Sequence, residues 1–169
     1  MKEDILEQIV EDYLHGLGYF TVANVKFRPL ASDIGFVSKQ DSVHSDIDVV
    51  GYNPLKADPE RVVVVSCKSW QSGFWAKAEM EAILANKIVS GRERWRAYRE
   101  LANEKWAIAL RRKIKEITGS DTFTYWTAVT QWGDPDNAAC WTGNLEFQRR
   151  LTPHLRIVTL REMLVGIGQ

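Results

Sequence analysis

Two short stretches decide the fold of this chain: residues 46–51, which read DIDVVG, and residues 62–71, which read VVVVSCKSWQ. Both are rich in β-branched residues, a composition that is typical of β-strands. The four consecutive valines of the second stretch predict a central strand that is covered on both faces. Together they predict two strands of one sheet, with acids on the first and a lysine near the end of the second.

Hydrophobic periodicity predicts the other elements of the fold. Helical spacing predicts helices over residues 3–17, 74–89, 92–117, 143–150 and 160–165, and strand patterns cover residues 21–27, 46–52, 61–69, 122–130 and 155–159. Residues 29–45 are polar and irregular and are predicted to form a loop or hairpin arm. The order predicts an α/β fold with a mixed central β-sheet of about five strands flanked by α-helices. We expect the first strands to be antiparallel and the later ones to follow helical crossovers.

The composition indicates one globular domain over residues 1–169. Of the 169 residues, 45% are hydrophobic and 26% are charged, which suits a domain with its own core. No apolar run approaches the ~18 residues that span a bilayer, and the first residues, MKED, lack an apolar signal segment. Cys67 and Cys140 are the only cysteines, too few for a disulfide framework. We therefore expect a cytoplasmic protein with no membrane partner.

Positive charge is concentrated in one part of the chain. The net charge is zero, yet residues 87–118 carry ten lysines and arginines against four acids. Such a segment is compatible with phosphate contacts to DNA, although a solvated helix face explains the charge equally well. The candidate DNA-binding residues are Arg92, Arg94, Arg96, Arg99, Arg111 and Arg112.

Strand alternation predicts which side chains of the first stretch point the same way. Asp46, Asp48 and Val50 are expected on one face. Ile47 and Val49 are then expected on the other face.

The same argument applies to the second stretch, where Ser66 and Lys68 share a face and Cys67 points to the opposite one. If the two strands pair, Asp48 and Lys68 can line one cleft. In the first predicted helix, Glu7 lies at the border of the apolar stripe, from which it can point toward that cleft.

These residue types suit the cleavage of phosphodiesters. Mg²⁺ prefers oxygen ligands and is often held by one or two carboxylates together with water and phosphate oxygens. A neighbouring lysine can position or deprotonate the attacking water and stabilise the charge of the transition state. We therefore expect Mg²⁺, or Mn²⁺, as the cofactor.

The order of these residues resembles the PD-(D/E)XK nuclease superfamily, which includes archaeal Holliday-junction resolvases and many restriction endonucleases. Glu7, followed by Gly18-Tyr19, is similar to the first helix of those proteins, and Asp48 and Lys68 are similar to their metal-binding aspartate and catalytic lysine. Gln71 resembles a glutamine that many members carry. The resemblance implies a restriction endonuclease-like core and a metal-dependent endonuclease acting on DNA, with Asp46 in support. A homodimer is implied by analogy alone.

Ser66 departs from that pattern, because the superfamily carries an acid at this position. Three explanations stay open. The acid can come from the next helix, where Glu79 and Glu81 are the candidates, or Asp46, Asp48 and Glu7 can suffice for one metal. Alternatively, the site is catalytically inactive and the fold binds nucleic acid or a protein partner. A Ser66–Lys68 nucleophilic pair is disfavoured, because both residues lie within a strand and no oxyanion loop accompanies them.

Overall fold

The computed structural model describes residues 3–169, with side chains from residue 5 onward. The strands are β1 (Phe20–Phe27), β2 (Ser45–Tyr52), β3 (Val62–Lys68), β4 (Ile88–Val89), β5 (Arg92–Glu93), β6 (Thr124–Val129) and β7 (Leu155–Thr159). The α-helices are α1 (Glu3–Gly16), α2 (Ser38–Asp41), α3 (Ala76–Leu84), α4 (Arg99–Ala102), α5 (Glu104–Thr118), α6 (Ala138–Thr142), α7 (Leu145–Arg150) and α8 (Leu160–Ile167). Two short 3-10 helices cover Arg94–Tyr98 and Pro135–Asn137.

Five of the strands form a mixed central sheet in the order β1-β2-β3-β6-β7. β1, β2 and β3 are antiparallel neighbours, whereas β3, β6 and β7 run parallel. The predicted α/β fold, with a mixed five-stranded sheet flanked by helices, is therefore confirmed. The four valines lie on β3 in the middle of this sheet and are 0–1% exposed, as their sequence predicted. In the described residues, no helix is both long and apolar enough to cross a membrane.

The sheet separates two hydrophobic cores. On one face, α1 and α8 pack against Val63, Val65 and Cys67. On the other face, Trp106 and Leu110 of α5 belong to a larger core that also contains the side chains of Val62 and Val64. Because alternate residues of β3 enter different cores, every side chain of that strand up to Cys67 is buried.

The side-chain alternation of β1 and β2 breaks where Asn24 stands opposite Asp48. The ladder pairs the residues on either side of this position but not these two, and Asn24 has a φ of 53°. As a result, Ile47 and Val50 enter the same core, while Val49 enters the other. The prediction that Ile47 and Val49 share a face is therefore wrong, because a left-handed residue in one strand re-aims the side chains around it.

The prediction of one continuous helix over residues 92–117 is also wrong over its first third. Ser90 and Gly91 both have positive φ and form the turn of a hairpin between β4 and β5. The chain then continues through a 3-10 helix and α4 before Asn103 starts α5. Asn103 has an extended backbone, and its side chain accepts a hydrogen bond from the Lys105 amide, which is the usual geometry of a helix N-cap.

Candidate functional site

Asp48 lies where β2 and β3 separate. The antiparallel ladder ends at the pair Val49 and Val65. One step beyond it, Oδ2 of Asp48 accepts a hydrogen bond of 2.6 Å from the backbone amide of Cys67. The carboxylate therefore occupies the opening between the two strands, beside the residue that precedes Lys68.

Lys68 is half-buried against the segment that follows β5. Its Nζ donates a hydrogen bond of 2.7 Å to the carbonyl oxygen of Ala97 and lies 5.1 Å from the ring centroid of Tyr98. Tyr98 belongs to the core on the α5 side of the sheet, and Cys67 belongs to the opposite core. Lys68 and Cys67 therefore point to opposite faces, as alternation predicted.

Glu79 and Glu81 of α3 have different surroundings. Glu79 receives two hydrogen bonds from Arg94, of 2.5 and 2.6 Å, and a third of 3.1 Å from the hydroxyl of Tyr98. Glu81 is exposed and lies close enough to Cys140 to raise the pKa of that thiol, after the larger effect of burial. Of the two candidate acids, Glu79 is the one that contacts the tyrosine beneath Lys68.

A third glutamate, Glu100 of α4, is buried near Ser66 and was missed by the sequence analysis. It is 5% exposed, and the hydroxyl of Tyr125 donates a short hydrogen bond to its Oε1. Burial raises the pKa of Tyr125 well above its ordinary value of 10, and the charge of Glu100 raises it further. The side chain of Ser66 interacts with the same hydroxyl, and the charge of Asp48 also acts on it.

The place of Glu100 could not be read from the sequence. It falls within the predicted helix over residues 92–117, where it is one charged residue among many. Only the break at Asn103 and the short α4 turn its carboxylate toward β6. Ser66, which stands where the superfamily carries an acid, is thus linked through the Tyr125 hydroxyl to the buried carboxylate of Glu100.

The other predicted site residues lie on α1, at the start of β2 and just after β3. Glu7 is half-buried on α1, and Asp46 is exposed at the start of β2, opposite Lys26 of β1. Gln71 is exposed just after β3, and its carbonyl oxygen accepts a hydrogen bond from the side chain of Gln131.

The donor set fits a metal ion only in part. Across residues 3–169, no three histidine, cysteine, aspartate or glutamate side chains come close enough together to hold one. Mg²⁺ is often bound by one or two carboxylates and completes its shell with water and phosphate oxygens. Asp48 fits a site of that kind, whereas Glu79 would first have to leave Arg94.

Most of the candidate DNA-binding arginines are engaged with neighbouring side chains. Arg96 pairs with Glu93 and stacks on Trp95, and Arg112 pairs with Asp33. The guanidinium of Arg99 lies over the Trp106 ring, and its pKa is lowered by burial and then by two neighbouring arginines. The two that are exposed and make no ion pair with another described residue are Arg92 and Arg111.

Comparison with known proteins adds little to this geometry. No protein-family model matches the sequence, and no curated protein matches it either. A crystal structure of a protein of unknown function, AF1548, is similar over 97% of this chain and 67% of that one, with 13% sequence identity and a TM-score of 0.45. A likeness at this level says nothing about activity.

Proposed function

We propose that this protein is a metal-dependent nuclease that hydrolyses phosphodiester bonds in DNA. The observation that supports the proposal is the position of Asp48 where β2 and β3 separate. Its carboxylate accepts a hydrogen bond from the backbone amide of Cys67, the residue that precedes Lys68. Where the two strands diverge, Asp48 would supply a metal ligand and Lys68 a cation. The proposal includes membership of the PD-(D/E)XK superfamily.

Each residue has a role that follows from its chemistry. When bound, Mg²⁺ would polarise the phosphoryl group and lower the pKa of a bound water. Asp48 would hold that ion, and Lys68 would exchange the carbonyl of Ala97 for a water or phosphate oxygen of the substrate. Charge that develops on the phosphate would then be stabilised by the ammonium group. Tyr98, whose ring lies under Lys68, would fix the direction of the side chain.

A second candidate function is a non-catalytic module on the same fold that binds nucleic acid. Two contacts favour it: Lys68 already donates to Ala97, and Glu79 is bound by Arg94 in a two-point ion pair. Both groups are satisfied by the protein itself, as expected where a former active site has become part of the packing.

Nicking of supercoiled plasmid DNA separates the two functions. The assay compares the unmodified protein with Asp48→Asn and Lys68→Met, in Mg²⁺, in Mn²⁺ and in EDTA. Lys87→Met is the matched control, because Lys87 is exposed and lies in the connection between α3 and β4, outside β3. The nuclease predicts cleavage that requires the metal, is retained in the control and falls at least 100-fold in both site variants.

A different result would reject the nuclease. Absence of metal-dependent cleavage by the unmodified protein, together with DNA binding that weakens as salt rises, would identify the non-catalytic module. Equal cleavage by all variants would indicate a contaminating enzyme. Circular dichroism of each variant checks that it remains folded.

A further inference from the structure

A basic groove lies between the end of β1 and the exposed side of α5. Its charged and polar lining consists of Lys26, Arg28, His44, Arg112, Lys113 and Glu116, and its volume is about 170 Å³. Four lysines and arginines thus face one carboxylate. A positively charged groove of this volume suits a single phosphate group better than it suits a base or a folded peptide.

Part of this charge is not neutralised inside the protein. Arg112 is paired with Asp33 at 2.7 Å, and Lys113 reaches Glu116 at 3.4 Å. In the described part of the chain, no carboxylate lies within ion-pair distance of Lys26 or Arg28. Arg28 donates one hydrogen bond to the carbonyl of Ser42, so its guanidinium is positioned and keeps further donors.

The groove and the candidate site are linked through the pairing of β1 with β2. Lys26 stands opposite Asp46 in the backbone register of the β1–β2 ladder, and Asp46 lies two residues before Asp48. Two residues of a strand span about 7 Å, which is within reach of the next phosphate along a nucleic-acid backbone. His44 lies at the same end, immediately before β2 begins at Ser45.

We infer that the basic groove binds the phosphate backbone of the DNA strand that passes Asp48. The inference rests on the proposed function, since it takes DNA as the partner, and it assigns the contact to a surface outside the arginine-rich segment 92–99. The ring of Phe27, which lines the same groove, is only 3% exposed. Because that ring is buried, it offers no face for base stacking, and the cations of the groove are placed for phosphate contacts that do not depend on base sequence.

The test is the salt dependence of DNA binding by two double variants of equal charge. Lys26→Ala with Lys113→Ala removes two cations from the groove. The control, Lys56→Ala with Lys77→Ala, removes two lysines that do not line it. Fluorescence anisotropy of a labelled 20-base-pair duplex is recorded from 50 to 300 mM KCl in EDTA, so that no cleavage occurs.

The groove variant is expected to bind about tenfold or more weakly at 100 mM salt, and its plot of log K against log salt should be shallower by about one to two units. The control should bind within about threefold of the unmodified protein. Equal affinities and slopes for both double variants would overturn the inference. Displacement of the duplex by a polyglutamate of equal charge, at equal concentration, would also overturn it, because the groove would then select any polyanion.

The outcome is separate from that of the proposed function, because binding is measured without metal and cleavage is measured in its own assay. A protein that binds DNA through the groove and does not cleave supports the groove and rejects the nuclease. A protein that cleaves and whose groove variant binds normally supports the nuclease and rejects the groove. A protein that neither binds nor cleaves rejects both.

Discussion

Arg94 binds Glu79 at two points, from Nε to Oε2 at 2.5 Å and from Nη2 to Oε1 at 2.6 Å. The guanidinium also lies 4.5 Å from the ring centroid of Trp70, just beyond β3. Arg94 therefore links the 3-10 helix over Arg94–Tyr98 to both α3 and the end of β3. The same contact engages Glu79, one of the two glutamates proposed to replace the acid absent at Ser66.

Removal of this arginine should destabilise the protein. Both side chains are only 16–17% exposed, so Arg94→Ala leaves a largely buried carboxylate without its partner. We expect the free energy of unfolding to fall by about 2–3 kcal/mol. Urea denaturation at pH 7 measures the change. Arg149→Ala is the control: its pairs with Glu104 and Glu146 are exposed, and it should change stability by less than about 1 kcal/mol.

Glu79→Gln distinguishes a structural glutamate from a metal ligand. If Glu79 serves only in the ion pair, the substitution lowers stability and leaves the metal dependence of cleavage unchanged. If Glu79 joins Asp48 at the metal, the variant should need at least tenfold more Mg²⁺ for half-maximal cleavage, as expected for loss of one carboxylate ligand. Glu81→Gln is the matched control on the same helix, where the side chain is exposed, and it should leave the Mg²⁺ titration unchanged.

The hydroxyl of Tyr125 should be a major source of stability. It donates to the buried carboxylate of Glu100, and Tyr125→Phe removes that donor while keeping the ring. We expect a loss of about 2–3 kcal/mol, because a hydrogen bond to a buried charge is lost. Tyr52→Phe, at the end of β2 in the same sheet, is the matched control. A loss in Tyr125→Phe no larger than in Tyr52→Phe would show that Glu100 is satisfied without the hydroxyl.

Stability should fall at high pH because two buried tyrosines resist ionisation. Burial raises the pKa of Tyr98 and of Tyr125 well above 10, and nearby glutamates raise both further. Above pH 10 the unfolded chain releases these protons while the folded protein retains them, so the folded state binds more protons and loses stability as pH rises. Each tyrosine contributes a slope that approaches about 1.4 kcal/mol per pH unit.

Urea midpoints between pH 9 and 11.5 measure this slope. The stabilisation is fully present below pH 10, and the loss continues until the folded-state pKa of each tyrosine is reached. Tyr98→Phe and Tyr125→Phe each remove one titrating hydroxyl, so in each variant the free energy of unfolding should fall less steeply with pH. A slope that is unchanged in both variants would contradict the assignment.

Asn103→Ala should weaken the start of α5. The Asn103 side chain accepts a hydrogen bond from the Lys105 amide, and loss of such a cap costs about 1 kcal/mol. Asn137→Ala is the matched control, because Asn137 precedes α6 without a side-chain capping bond. Denaturant midpoints of the two variants give the difference, and equal midpoints would exclude a capping role for Asn103.

The sheet could be predicted from the sequence because its pattern is local. The run of four valines in β3 and the apolar stripe of α1 each depend on neighbouring residues of one element. The valines are buried because both faces of β3 are covered, and Leu6, Val10 and Leu14 of α1 are buried because they share one helix face. The pattern failed over residues 92–103, where apolar and basic residues suit a helix but the turn at Ser90 and Gly91 and the cap at Asn103 divide the chain.

The sequence by itself determined the α/β architecture, the central place of β3 and the opposite directions of Cys67 and Lys68, because side-chain period is a property of the local backbone. Tertiary structure alone decided what surrounds Asp48 and Lys68. Glu79, Ala97 and Glu100 reach this region from three separate elements, and the break opposite Asn24 changes the face of β2. These contacts join residues far apart in the chain, and no local period encodes them.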